Sequence, residues 1–445
     1  MTYSWTPSAL LPQEHVFLVG GAVRDALLGQ PVRDHDYVVV GLSVAQMSDL
    51  GFASVGKDFP VFLEPTTKEE YALARVERKT GPGYHGFATE TNGVTLDEDL
   101  ARRDLTINAM ALSPTGELVD PFGGQNDLAN KVLRHVSPAF AEDPLRVLRV
   151  ARFAARYPDF TVAPETVELM KQMVADGEVD HLVAERVWLE FTKACKTDKP
   201  SRFIAVLHEC GALARVLPEV DALYGIPQVE EHHPEVDTGI HTEMVMDQAA
   251  KLSGGDIKIV FAALTHDLGK AVTDEAMWPK HHNHEELGLE PLAQLAQRWK
   301  IPNDANELAK AVCEHHLNCH RLTEARTGTF LNLIERIDGF RNPQRVYDFA
   351  ITCEADARGR LGLENRAYPQ TRMLTYVFEA ARAVSAKPFV EQGLKGLEVK
   401  EALRDARLRA IRQAQNELKK EAQEASVLHN QNNSAPPMTF KKPSV

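Results

Sequence analysis

The stretch FLVGGAVRDALLGQPVRDHDYVVV, residues 17–40, decides how the rest of the chain is read. The apolar run Phe17 to Val19 reads as a strand, Gly20 and Gly21 as a strand-to-helix turn, and Ala22 to Leu28 as the helix that follows. Glycine lets a backbone approach a ligand closely, a helix N-terminus favours an anion, and Arg24 can pair with phosphate oxygens. Taken alone, such a turn serves geometry as readily as binding. Asp34 and Asp36 then stand two apart at the start of a second strand, Tyr37 to Val40, where alternate residues share a face. Two carboxylates this close repel unless a cation neutralises them, and carboxylate oxygens with water suit Mg²⁺ at a phosphate site. A D-x-D pair by itself is common in solvated loops; its pairing with Gly-Gly-x-x-Arg tips the reading to a nucleotide and metal site.

Outward from this core, β-branched runs and glycine turns alternate to about Val136, and Met110 to Ser113 with Glu117 to Pro121 read as a hairpin turning at Thr115 and Gly116. An α+β region with a mixed or antiparallel sheet is expected. Beyond Ser137 helical periodicity takes over and strand-like runs nearly vanish. Laid on a helix at about 100° per residue, Asp143 to Tyr157 places Arg146, Arg149, Arg152 and Arg156 in one arc and Val147, Ala151 and Ala154 opposite. The chain carries a net charge of −13, unfavourable for a nucleic-acid partner. Between Lys131 and Asp159, however, six basic residues face three acidic ones, so a basic stripe exists on an acidic protein. Five cysteines without a C-x-x-C spacing read as reduced thiols. No leader pattern and no apolar run of about 18 residues is present, so a cytoplasmic protein without membrane contact is expected.

Further motifs extend the pattern: Arg102-Arg103-Asp104 with Asn108-Ala109, Asp120-Pro121 with Gly123-Gly124 and Asp127, and Glu142-Asp143 with Arg146. In this order over about 140 residues they resemble the DNA polymerase β type nucleotidyltransferase superfamily, specifically the bacterial class II CCA-adding enzymes and poly(A) polymerases. The resemblance implies attack of a tRNA 3′-hydroxyl on the α-phosphate of CTP or ATP, release of pyrophosphate, and Mg²⁺ held by Asp34 and Asp36. It implies a nucleotide pocket of Gly21, Arg24, Arg103, Asp143, Arg146, Arg149 and Arg152. The chemistry agrees, since a carboxylate accepts from the exocyclic amine of cytosine or adenine while a neighbouring guanidinium donates to ring acceptors. Glu77 and Asp104 are candidates for a third catalytic carboxylate.

The helical region holds His241, then His266-Asp267 with Lys270, then His281, His282, His284, His315 and His316. A His-Asp dyad with histidines from other helices can hold a divalent metal between them. The arrangement resembles the HD phosphohydrolase superfamily, which implies His241, His266, Asp267 and Asp356 as ligands, with His284 and His315 as further candidates. It also implies a transition metal such as Ni²⁺ and hydrolysis of 2′,3′-cyclic phosphates, 2′-nucleotides or similar esters. His281 and His282 read as surface or satisfied core residues.

The expected organisation is a nucleotidyltransferase head at 1–136, a helical neck at 137–225, an HD-type helical domain at 226–360, a helical tRNA-binding tail at 361–424, and disorder over 425–445. In the tail, Arg404, Arg407, Arg409, Arg412, Lys419 and Lys420 either track RNA backbone or form a solvated face. The chain is expected to act as a monomer or homodimer. A poly(A) polymerase shares nearly every head motif but carries a basic pair where Val55 to Pro60 places Asp58; the other rival is an RNA-binding HD phosphohydrolase with an inactive head.

Overall fold

Val16, Leu18, Val19 and Tyr37 to Val39 are all buried, and strands so covered belong in the middle of a sheet. The computed structural model, which describes residues 3–32, 34–55, 61–79 and 87–433, places them there. The strands are β1 (Val16–Val19), β2 (Asp36–Val39), β3 (Ala53–Val55), β4 (Val61–Leu63), β5 (Glu70–Leu73), β6 (Val76–Lys79), β7 (Phe87–Glu90), β8 (Ala111–Leu112) and β9 (Leu118–Val119), with β10 (Val132–Leu133) and β11 (Thr161–Val162) paired in parallel further on. Seven of them form a sheet in the order β3-β4-β5-β2-β1-β8-β9, and β6 and β7 pair separately. β1 runs antiparallel to β2, with Val19 opposite Asp36, whereas β2 runs parallel to β5. The sheet is therefore mixed, and β8 with β9 is the expected hairpin. Tyr37 stacks on Tyr71 with ring centroids 4.6 Å apart, and Phe52 meets Tyr71 edge-on, which pins β2 to its neighbours.

The register Val19↔Asp36 puts the end of β1 beside the start of β2, so the Gly-Gly turn and the D-x-D pair meet at one edge of the sheet. Gly20 turns there at φ +67° and ψ −128°, a conformation open to glycine alone, and Gly21–Leu27 follows as a helix. The helix Leu145–Arg156 buries Val147, Leu148, Val150, Ala151, Ala154 and Ala155 against Ala184–Cys195 and Ser201–Glu209. Its other side is thereby left with arginines.

The residues fall into two compact units, one of Met1–Ile226 with Ala293–Ile301, the other of Pro227–Leu292 with Pro302–Val445. Ala293–Ile301 interrupts the stretch expected to form one HD block. Trp299 explains its place in the first unit: the indole Nε1 donates to the Val216 carbonyl at 3.1 Å and the ring meets Phe191 edge-on.

In the second unit every residue from Ile259 to Thr265 is buried, so the helix Ile257–Thr265 is a central rod. Thr238–Ser253, Asn303–His320 and Pro343–Arg358 pack around it, and its C-terminal end delivers His266 and Asp267. The last helix, Leu397–Asn433, lies against Thr327–Arg336 and Gln370–Arg382. Over 425–433 it replaces the expected disorder with helix, since no glycine or proline interrupts the chain there; the rest of that expectation, 434–445, lies outside the described residues. All five cysteines are free and buried. Among the described residues no helix is long and apolar enough to cross a membrane.

Candidate functional site

At the edge of the sheet where the Gly-Gly turn meets the D-x-D pair, the first unit opens into a cleft of about 1050 Å³. Gly21, Arg24, Asp34, Asp36, Arg103, Asp143, Arg146, Arg149 and Arg152 all line it. Residues drawn from four separate motifs thus converge on one space. The turn and the D-x-D pair are in near contact: a Cβ on Gly20 would stand 3.0 Å from Arg103 Nη1 and 3.9 Å from Asp36 Oδ2. Asp34 and Asp36 are exposed to the cleft, and neither makes an ion pair among the described residues.

The cleft wall is built from fixed guanidinium groups. Arg24 donates from Nε to Asp25 at 2.9 Å and from Nη1 to Asn108, and its guanidinium sits 5.2 Å from the Phe153 ring and 5.6 Å from that of Tyr157. Asp25 also receives Arg156 at 3.0 Å and the Tyr157 hydroxyl at 3.2 Å, tying the helix after β1 to Leu145–Arg156. Arg146, 8 % exposed, donates to the carbonyls of Ala139 at 2.6 Å and Arg102 at 2.7 Å, which holds the Asp143–Arg146 turn against the R-R-D motif. Asp143 accepts from the Leu145 backbone N–H at 3.0 Å.

Three of the expected ligand-binding arginines have carboxylate partners: Arg103 pairs with Asp99 at 3.0 Å, Arg149 with Asp104 at 2.7 Å and Arg152 with Glu190 at 2.5 Å. Burial works to raise the Asp104 pKa, but the Arg149 charge and hydrogen bonds from Asn108, Arg149 and the Leu105 N–H override it and hold the carboxyl well below its usual range. Asp104 is thereby kept ionised and anchors Arg149 at the cleft. The side chain of Glu77 and residues 56–60 lie outside the described residues. Asp120, from the D-P-x-x-G motif, accepts from the backbone N–H groups of Gly124 and Gln125 and so starts a helix.

Arg75 in the cleft wall escaped the sequence reading, as did two cations of one helix, Arg186 and Lys193. With Glu190 they recur at i, i+4 and i+7 along Ala184–Cys195, a spacing that would have flagged one polar stripe on an amphipathic helix.

In the second unit His241, His266, Asp267 and Asp356 come together, all at most 4 % exposed. His241 Nε2 lies 3.2 Å from Asp356 Oδ1, His266 Nε2 lies 3.8 Å from the same oxygen, and His266 Nε2 stands 3.1 Å from Asp267 Oδ2. His266 Nδ1 donates to the Ala263 carbonyl at 2.7 Å and His241 Nδ1 to the Gly359 carbonyl at 2.9 Å, with Glu235 Oε1 3.0 Å away. Each ring therefore turns an Nε2 lone pair toward the centre, and neither Nε2 has a hydrogen-bond partner. A Cβ on Gly359 would meet the Val245 Cα at 2.6 Å, so this carbonyl reaches His241 because the residue is glycine.

His320 Nε2 meets the other Asp356 oxygen at 2.6 Å, with the Tyr368 hydroxyl on its Nδ1 at 2.8 Å. Lys270 Nζ lies 2.7 Å from Asp267 Oδ2. Despite burial, His266 and Lys270 hold the Asp267 carboxyl far below its usual range. Such a set of buried imidazole and carboxylate donors fits a divalent transition metal.

The further histidine candidates divide. His284 joins the Asp267 side of the centre together with His316, whereas His315 faces Glu314 at 3.6 Å. His281 is satisfied by Thr273 and the Pro227 carbonyl, as a core histidine. In the last helix Arg404 bonds Glu335 and Asn332 and Arg407 lies 3.6 Å over the Phe340 ring, so two of the basic tail residues hold the helix down. Arg409, Arg412, Lys419 and Lys420 stay exposed.

A carboxylate pair beside a glycine turn, in a cleft walled by arginines, followed by a buried His-Asp centre, defines a nucleotidyltransferase head joined to an HD domain. Family models agree: residues 16–134 match the poly A polymerase head domain, 159–224 the probable RNA and SrmB-binding site of polymerase A, and 238–342 the HD domain. The chain is 56 % identical over 400 residues to the multifunctional CCA protein of Nitrosococcus oceani, covering 90 % of this chain and 98 % of that one. It is 55 % identical over 405 residues to that of Xanthomonas campestris, covering 90 % and 99 %. The fold matches the crystal structure of the Bacillus stearothermophilus CCA-adding enzyme in complex with CTP at a TM-score of 0.58 and 22 % identity, over 94 % of each chain. The chain belongs to the multifunctional CCA protein family.

Proposed function

We propose that this protein adds and repairs the 3′-terminal CCA of tRNA without a nucleic-acid template, using CTP and ATP and releasing pyrophosphate. The observation that carries the reading is the convergence of Asp34, Asp36, Gly21, Arg24, Arg103, Asp143 and Arg146 on one cleft in a chain of this family. Asp34 and Asp36, side by side and open to the cleft, fit Mg²⁺. Held by these two carboxylates, Mg²⁺ would supply charge to offset that developing on the attacking and leaving oxygens.

The chain's own residues then do the positioning. Gly21 and Arg24 cradle the triphosphate at the N-terminus of Gly21–Leu27, and Arg103, Arg149 and Arg152, which line the same cleft, contact the triphosphate or the base. Asp143 accepts from the exocyclic amine of cytosine or adenine, and Arg146, braced by the Ala139 and Arg102 carbonyls, donates to the ring. Guanine and uracil present a carbonyl where the amine is required, so Asp143 repels them.

His241, His266, Asp267 and Asp356 fit a transition metal such as Ni²⁺, supported by the orphaned Nε2 atoms of both histidines. This second centre hydrolyses phosphoesters, among them 2′,3′-cyclic phosphates and 2′-nucleotides at damaged RNA ends. The exposed cations of the last helix bear on the tRNA backbone. The enzyme works in the cytoplasm as a monomer or homodimer.

The test is incubation with tRNA lacking its 3′ end, Mg²⁺ and each labelled nucleotide, comparing the wild type with Asp36→Ala on a sequencing gel. Addition of C, C and A that stops there and vanishes in the variant is expected. A long A tract would replace the reading by a poly(A) polymerase, and no incorporation by either protein would leave the HD centre alone.

A further inference from the structure

Residues 3–11 run ahead of β1 and line no part of the cleft, yet they reach the residue that stands between its two carboxylates. Burial alternates along them: Tyr3 and Trp5 are half-buried and Pro7 is buried, whereas Ser4 and Thr6 are exposed. This is the period of an extended segment with one face laid on the protein.

The surface beneath it is the face of β2 turned away from the D-x-D carboxylates. His35 and Tyr37 alternate with Asp34 and Asp36, so the two pairs point to opposite sides. The His35 and Tyr37 rings stack with centroids 5.9 Å apart. Trp5 packs on Tyr37 at 5.4 Å, and the Tyr3 ring lies 6.3 Å from that of His35. The arm thus follows β2 in step, residue 3 against 35 and residue 5 against 37. The Tyr3 hydroxyl and His35 Nε2 are hydrogen-bonded at 2.8 Å. Further along, the Ser8 N–H donates to the Tyr71 hydroxyl at 2.9 Å, its Oγ donates to Glu64 at 3.4 Å, and Leu11 is buried. These contacts anchor the arm to β5.

Such an anchor matters because the β1–β2 ladder begins at the pair Val19↔Asp36, which leaves Asp34 and His35 ahead of it. Both carboxylates are exposed, and like charges on an unpaired end drive it apart. A cation binding there must first order that end, a cost in conformational entropy that a fixed backbone removes. A side chain gripped between the two carboxylates from the other face orders both at once.

We propose that residues 3–11 are a positioning strap for the D-x-D pair: Tyr3 grips His35 and Trp5 braces Tyr37, so Asp34 and Asp36 meet Mg²⁺ already oriented. The strap rests on the reading of Asp34 and Asp36 as the metal-holding pair of a nucleotidyltransferase and deepens it. Tyr3 and Trp5 act through β2, so their effect falls on metal affinity and not on the choice of base.

The experiment uses the full-length chain. Mn²⁺ is titrated against it with the free ion read by electron paramagnetic resonance, and binding that persists in the Asp34→Ala/Asp36→Ala variant is subtracted. Tyr3→Phe removes one hydroxyl and keeps the ring, so an unchanged melting temperature and an Mn²⁺ Kd raised about fivefold are expected, the worth of one hydrogen bond. With CTP saturating, the Mg²⁺ concentration for half-maximal incorporation should rise by the same factor, while kcat at saturating Mg²⁺ and the KM for CTP stay as in the wild type. In a His35→Ala background the Tyr3→Phe effect should vanish. Trp5→Ala should weaken Mn²⁺ binding and also lower the melting temperature. Wild-type Mn²⁺ and Mg²⁺ dependence in Tyr3→Phe, or a Tyr3→Phe effect that survives in the His35→Ala background, overturns the strap and leaves the nucleotidyltransferase reading standing. A wild type with neither carboxylate-dependent Mn²⁺ binding nor incorporation of CTP or ATP overturns both.

Discussion

Asp104→Asn isolates the electrostatic strut of the nucleotide cleft. Asparagine keeps an acceptor for the Leu105 N–H and the Asn108 side chain, so the substitution removes chiefly the charge opposite Arg149. Breaking a fully buried pair costs about 3–5 kcal/mol and an exposed one less than about 1. Here the carboxylate is 5 % exposed but Arg149 is 35 % exposed to the cleft, so solvent screens one end and about 2 kcal/mol is the reasoned loss. At about 2–4 °C per kcal/mol, the melting of the first unit should fall by roughly 4–8 °C. Urea unfolding of Asp104→Asn, Arg149→Met and the double variant forms the cycle that separates the pair from its surroundings, with a coupling of about 1–2 kcal/mol expected.

Acid gives an independent sign. The folded carboxyl sits below its ordinary value, so its contribution is complete above the unfolded pKa of about 3.9 and is lost as pH falls through the folded value. The gap between wild type and Asp104→Asn should therefore be constant above about pH 5 and narrow in stronger acid. Additive single variants, or a gap unchanged at pH 3, would refute the strut.

Arg24→Lys keeps the charge but loses the planar fork that bonds Asp25 and Asn108 at once. Loss of about 1.4 kcal/mol should raise the KM for CTP about tenfold in steady-state addition assays, and unchanged kinetics would remove Arg24 from the pocket. Gly124→Ala would place a Cβ 2.3 Å from the Thr106 carbonyl oxygen and 2.8 Å from Met110 Cγ, so the helix after Asp120 must shift. A stability loss of about 1–3 kcal/mol is expected, read by thermal melting; an unaltered midpoint would mean the close approach is not real.

Much of the candidate site was legible because its parts are local. Gly20 and Gly21 follow a strand and open a helix, Asp34 and Asp36 share a face, and the arginines of Leu145–Arg156 recur with the helical period. Periodicity also separated that helix's buried face from its charged one. What it missed was what each arginine bonds: Arg149 finds Asp104, 45 residues away, and Arg152 finds Glu190, 38 away. The HD dyad was visible as neighbours in the chain, but among the later histidines the sequence favoured His315 over His316. On Asn303–His320 these adjacent residues point about 100° apart, so helix rotation alone decides which one meets Asp267.

By itself, then, the sequence determined the strand-turn-helix at residues 17–40, the D-x-D pair, the arginine-bearing helix and the class of both centres, because short-range backbone geometry and side-chain period are written in adjacent residues. Only the tertiary structure decided the parallel pairing of β2 with β5, the carboxylate partner of each arginine and the two histidines gathered on Asp267 Oδ1. Those outcomes depend on how buried surfaces far apart in the chain fit together, and no local pattern encodes the rotation and offset of one packed element against another.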